Sequence, residues 1–271
     1  MSATIQPLQN ASADQAVLLS QDEDGVRTLT LNRPKQYNAL SEELLTALQD
    51  AFDATAADRS VRVVVLAGAG KAFCAGHDLK EMRSKPNHRY YEWLFKTCSR
   101  MMVTMTRLPQ PVIARVHGIA TAAGCQLVAN CDLAVAAEDA GFGTSGINAG
   151  LFCTTPGVAL SRNVHRKHAL EMMLSGEIIP AERALAFGLV NRVVPAAALD
   201  AAVAELAESI LSKSAAAIAT GKRAFYKQIE MGLMAAYDFA SEEMARNMTF
   251  RDAGEGIDAF IDKRKPEWSH E

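Results

Sequence analysis

The sequence has no excess of either charge. Its 28 Lys and Arg against 31 Asp and Glu leave a formal net charge of −3. That balance excludes a generally basic nucleic-acid binder, so any anion site has to be a local patch. Paired cysteines are missing too. Cys74, Cys98, Cys125, Cys131 and Cys153 make an odd count with no CxxC among them. This argues against a disulfide framework or structural zinc, and for a reducing compartment. No apolar run reaches the roughly 18 residues of a membrane span. Nor is there a Lys or Arg before Arg27, whereas a secretory or transit peptide needs basic charge. The expected address is the cytoplasm. Aromatics are few, at 6%, yet 49% hydrophobic and 22% charged residues are ordinary globular proportions.

What is present alternates between strand and helix. Residues 1–22 are small and polar and read as a flexible N-terminal arm. VRTLTLN, from Val26, is a strand with Leu29 and Leu31 on one side. Ser41 can cap a helix whose first turn carries Glu42 and Glu43 and whose inner face is Leu44, Leu45, Leu48 and Phe52. The β-branched run Val61–Gly68 reads as a strand covered on both faces. Pro111–Gly118, Cys131–Ala137 and the residues after Asn191 are further strands, with helices at Ala169–Leu174 and Pro180–Phe187 between them. Alternation of this kind implies an α/β fold with a largely parallel sheet. After Pro195 the strands cease; Leu206, Ile210 and Leu211 mark one helix, and long helices follow from Ala215. The expected division is an arm (1–22), an α/β core (23–214) and a C-terminal helical region (215–271).

Two turns rich in Gly and Ala carry the chemistry: Cys74-Ala75-Gly76-His77-Asp78 and Ala122-Ala123-Gly124-Cys125-Gln126. Small residues let backbone approach a ligand closely, and a first helical turn offers free N–H groups. Two such donors converging on one oxygen make an oxyanion hole. The plainer alternative is a pair of tight strand-to-helix turns.

AFCAGHDLKEM and GIATAAGCQLVANCDLAVAA, with LNRPKQYNALS, FGTSGINAGLFCTTPG, ALAFGLVNRVVP and IDKRKPEW, strongly resemble the enoyl-CoA hydratase/isomerase (crotonase) superfamily. The resemblance covers nearly the whole chain. It implies a ββα spiral core, a C-terminal helical trimerisation region and a homotrimer or dimer of trimers. It also implies an acyl-CoA thioester as ligand, with coenzyme A part of the substrate and no separate cofactor. The backbone N–H groups of His77 and Ala123 then correspond to the oxyanion hole. Ala75 and the stretch His77, Asp78, Leu79 and Lys80 correspond to the coenzyme loop. Lys35, Lys263, Arg264 and Lys265 are candidates for its phosphates.

The same resemblance exposes a departure. The two hydratase glutamates fall at Gln126 and Gly146, and a third carboxylate position used elsewhere in the superfamily falls near Thr154. None of the three is acidic. Gln126 cannot exchange a proton near neutral pH, and each general acid or base contributes about 10²–10⁴ in rate. Efficient enoyl-CoA hydration is therefore not expected. What remains is His77, Cys125, Gln126, Thr144, Ser145, Asn148, Cys153, Thr154 and Thr155. Decarboxylation, as in a superfamily methylmalonyl-CoA decarboxylase with the same AGHD turn, or thioester hydrolysis fits that set better. An acyl-CoA-binding or regulatory protein with reduced catalysis is the alternative. Cys125 and Cys153 read as small buried residues. His117, His165 and His168 lack metal-ligand spacing, so no metal is expected. Met101, Met102 and Met105 read as a helix packing face.

Overall fold

The computed structural model describes residues 16–271. β1 (Leu18–Glu23) and β2 (Val26–Leu31) form an antiparallel hairpin over Asp24 and Gly25, both at positive φ, the combination a type I′ turn requires. This corrects the expected arm at residues 18–22. They form a paired edge strand because Leu18 lies opposite Leu31 and is buried with it. Residues 1–15 of that arm lie outside the described residues.

α1 (Glu42–Ala57) begins where expected, with Ser41 Oγ accepting the Leu44 N–H at 3.2 Å. Three units then repeat one plan. β3 (Val63–Gly68) and β4 (Ala72–Cys74) lead to α2 (Leu79–Ser84) and α3 (His88–Arg107). β5 (Val112–Val116) and β6 (Ile119–Thr121) lead to α4 (Ala123–Asn130). β7 (Leu133–Ala137) and β8 (Gly141–Gly143) lead through a short 3₁₀ turn, Ser145–Ala149, to α5 (Thr154–Asn163) and α6 (Arg166–Ser175). β9 (Ile179–Pro180), α7 (Ala181–Ala186), β10 (Arg192–Val194) and α8 (Leu199–Leu211) close the core.

The long strands make one six-stranded sheet in the order β1-β2-β3-β5-β7-β10, parallel except for β1. The short strands make a second sheet, β4-β6-β8-β9. This is the expected ββα spiral. Alternate residues of β3 serve different faces: Val64 and Leu66 enter the main core with Leu44, Leu48 and Phe52, whereas Val63 and Val65 pack with Val203 and Ala207 of α8. Apolar side chains are needed on both faces, which is why the run is continuous. Met101, Met102 and Met105 of α3 are buried in the main core.

α9 (Ala215–Gln228), α10 (Leu233–Met248) and α11 (Arg251–Ile261) follow. α9 is held by one buried ion pair. Lys222 Nζ donates to Asp132 Oδ2 at 2.6 Å and to the Met105 and Gln110 carbonyls at 3.0 and 2.9 Å. Tyr226 Oη and the Val112 N–H satisfy the rest of the carboxylate. Otherwise α9 and α10 bury no side chain fully.

Candidate active site

Asn38 sets up the first turn. It is fully buried, and its Nδ2 donates to the carbonyls of Ala69, Ala72 and Phe73 while its Oδ1 accepts from Arg33 N–H. Leu40 then continues the alignment: its N–H donates to Gly76 O at 2.8 Å, and its carbonyl accepts Asp78 N–H at 3.1 Å. His77, between these two bonds, is left with its N–H unused among the described residues. Gly76 has φ +93°, a conformation that disfavours a side chain.

The second turn carries its own strain. Ala122 sits at φ 50°, ψ −121°, which costs a non-glycine residue about 1–3 kcal/mol. That kink starts α4 abruptly, so the Ala123 N–H has no acceptor among the described residues. Gly124 lets the helix approach β4; a Cβ there would lie 2.0 Å from Cys74 O. A Cβ on Gly76 would lie 2.8 Å from Ala122 Cβ and 3.2 Å from Ala123 N. The structure thus brings the two turns into contact, with one unpaired donor on each.

The surrounding polar groups divide into two sets. Thr144 Oγ1 donates to Met172 O, Ser145 Oγ shares a hydrogen bond with Thr121 Oγ1, Asn148 Nδ2 donates to Gly176 O, and Thr154 Oγ1 to Phe152 O. These are committed to local structure. By contrast Gln126 is buried with Oε1 unpartnered, and both His77 ring nitrogens lack partners. Burial lowers the His77 pKa to about 4, so the ring is neutral; it meets Phe95 edge-on at 5.4 Å. The Leu40 backbone is near enough to favour the charged ring but is not placed to bond it. Burial pushes the Cys125 thiol up to about 12 and raises that of Cys153, which keeps both protonated at neutral pH.

The residues expected to meet the coenzyme are partly committed. Asp78 caps α2 through the Lys80 and Glu81 N–H groups and pairs with Arg33 at 2.9 Å, so its carboxylate is structural. Ala75 donates its N–H to Tyr37 O; Lys35 is exposed two residues before Tyr37, at the same edge as exposed Leu79 and Lys80. Lys263 and Lys265 are not part of this cluster within one chain. Their segment docks where β3 begins, through Trp268 Nε1 to Ser212 O and through His270 beside Arg62, whereas Gly76 lies beyond the end at which β3 finishes. Arg264 forks onto Glu255 at 2.6 and 2.9 Å. No helix among the described residues is long and apolar enough to cross a membrane.

A ββα spiral with two donor turns in contact defines a crotonase-fold protein. The chain belongs to the enoyl-CoA hydratase/isomerase family, whose model matches residues 21–271. That places it among proteins of acyl-CoA metabolism. It is 47% identical over 248 residues to the mitochondrial enoyl-CoA hydratase domain-containing protein 3 of Homo sapiens, covering 92% of this chain and 82% of the relative. The crystal structure of the human protein of that name superposes with a TM-score of 0.90 at 45% identity, covering 93% of this chain and all of that one. An enoyl-CoA hydratase structure from Mycobacterium smegmatis gives a TM-score of 0.93 at 59% identity, covering 94% and 99% of the two chains.

Proposed function

We propose that this protein binds an acyl-CoA thioester with its carbonyl oxygen between the His77 and Ala123 N–H groups, and acts on it through an enolate rather than by hydration. The observation that carries the reading is the pair of unused donors on turns held in contact at Gly76. Each such donor contributes about 3–4 kcal/mol to an oxyanion when the site is dry. Gln126, Gly146 and Thr154 supply no carboxylate, so nothing here matches the two-glutamate handling of water. An enolate that forms without an external base, by loss of CO₂ from a 2-carboxyacyl thioester, needs only what is present. Ala75, Leu79 and Lys80 line the approach for the coenzyme, with Lys35 at its edge.

The assembly we propose is a homotrimer or a dimer of trimers. Its support is the unpartnered apolar surface of the C-terminal helices, where Leu233 is 73%, Met234 75% and Phe260 85% exposed, more than a lone chain leaves in contact with water without cause. In a trimer, Lys263 and Lys265 of one subunit can reach the coenzyme of another.

The test is a panel of crotonyl-, 3-hydroxybutyryl-, malonyl- and methylmalonyl-CoA, with products followed by mass spectrometry and mass by light scattering. CO₂ release from the malonyl-type thioesters with negligible hydration is expected. Rapid crotonyl-CoA hydration overturns the reading, and tight binding without turnover of any member leaves a binding protein instead.

A further inference from the structure

Residue 146 has no side chain, yet the space beside it is filled. Cys153 Sγ lies 2.7 Å from where a Cβ on Gly146 would stand. The segment bearing Gly146 runs alongside the second donor turn: Ala122 N–H donates to Gly143 O at 2.9 Å, and Thr121 Oγ1 and Ser145 Oγ are 2.8 Å apart. The thiol therefore belongs to the wall that this segment forms beside the second turn. Gln126 lies three residues after Ala123, on the same face of α4. Helical side chains tilt toward the N-terminus, so its carboxamide leans back toward the first turn of α4. Only 4% of Gln126 is exposed, and its Oε1 has no partner among the described residues. A buried acceptor left open in this way takes its donor from water or from a ligand.

We propose that the Cys153 thiol is the proton donor that quenches the thioester enolate at its α-carbon, on substrates of the 2-carboxyacyl-CoA class. This rests on the enolate reading above. The bond between the α-carbon and the carboxylate breaks, CO₂ departs, and the electron pair is delocalised onto the thioester oxygen held by His77 and Ala123. The S–H bond of Cys153 then breaks, its proton forms the new C–H bond, and the pair stays on sulfur. Solvent returns the proton, so the sum is one substrate and one proton giving the shortened acyl-CoA and CO₂.

The surroundings suit both forms of the group. Burial keeps the thiol protonated at rest. Once the proton has left, the Gly146 backbone favours the thiolate, as does the position of Cys153 just before the first turn of α5. Thr144, Ser145, Asn148 and Thr154, which share this wall, are already engaged by Met172, Thr121, Gly176 and Phe152.

The experiment is turnover of methylmalonyl-CoA in D₂O by the full chain and by Cys153→Ala and Cys153→Ser, with the configuration of the deuterated propionyl-CoA determined. The wild type is expected to give one configuration. Both variants are expected to turn over at least tenfold more slowly and to give racemic product, while binding butyryl-CoA as the wild type does. Serine keeps the shape at a slightly smaller volume but is a far weaker acid, and alanine reports the loss of packing. Failure of both to match the wild type in stereoselectivity therefore separates proton transfer from packing. Either variant as fast and as stereoselective as the wild type overturns the proposal alone. No CO₂ from the wild type overturns the enolate reading, and this proposal with it.

Discussion

Gly76 and Ala123 are in backbone contact: a Cβ on Gly76 would stand 3.2 Å from Ala123 N. One residue on from Gly76, His77 offers an unpaired N–H, so this single contact sets the separation of two donors from different strands. Gly76→Ala adds a methyl group against Ala122 in a backbone conformation that already disfavours it. The expected outcome is a loss of at least tenfold in butyryl-CoA affinity by calorimetry, with the far-ultraviolet spectrum retained. Unchanged affinity removes the oxyanion assignment.

Restoring carboxylates should not restore a hydratase. A Cβ on Gly146 would be 2.7 Å from both Leu151 O and Cys153 Sγ; the first is backbone and cannot swing away. Gln126→Glu with Gly146→Glu is expected to remain more than a hundredfold below an ordinary hydratase in loss of enoyl absorbance, with a lowered melting temperature. Recovery of hydration in the double variant shows that this loop yields more easily than its contacts indicate.

His77 gives the fold a pH dependence whose direction is fixed. The unfolded chain protonates this imidazole near 6.5, whereas burial lowers the folded pKa to about 4. Between those values the unfolded state binds a proton the folded state does not. Stability is therefore fully present above about 6.5 and declines as the pH falls toward 4. His77→Leu is expected to flatten the fall in melting temperature over that window relative to the wild type. A parallel decline in both proteins assigns the effect elsewhere.

Lys222 ties the C-terminal helices to the core. Lys222→Ala leaves Asp132 buried with a lost partner, which costs about 3–5 kcal/mol at such pairs. Lys222→Met with Asp132→Asn removes both charges and should regain much of that in denaturant unfolding. If the single variant costs under about 1 kcal/mol, the pair behaves as a surface contact.

Legibility in the sequence followed element length. The Leu44–Phe52 face of α1 and the β-branched run of β3 belong to elements six or more residues long, so their periodicity is visible and they form as expected, as does the Ser41 cap. β4, β6 and β8 are three residues each, too short for any pattern, and β4 and β6 carry the two donor turns. β1 was hidden because LLSQDE has an apolar start and a polar end, the signature of an edge strand whose outer part faces water. The ββα repeat likewise leaves no repeat in the residues themselves; it is a repeat of backbone path.

The sequence alone determined the chemical inventory: small residues at the two turns, and glutamine, glycine and threonine at 126, 146 and 154. It determined the family for the same reason, since short motifs in fixed order survive where periodicity is weak. Tertiary structure alone decided which donors are free, because a backbone N–H is spent or spare according to neighbours brought in from distant strands. It also decided that the space beside Gly146 belongs to Cys153, since close packing leaves no room for two occupants.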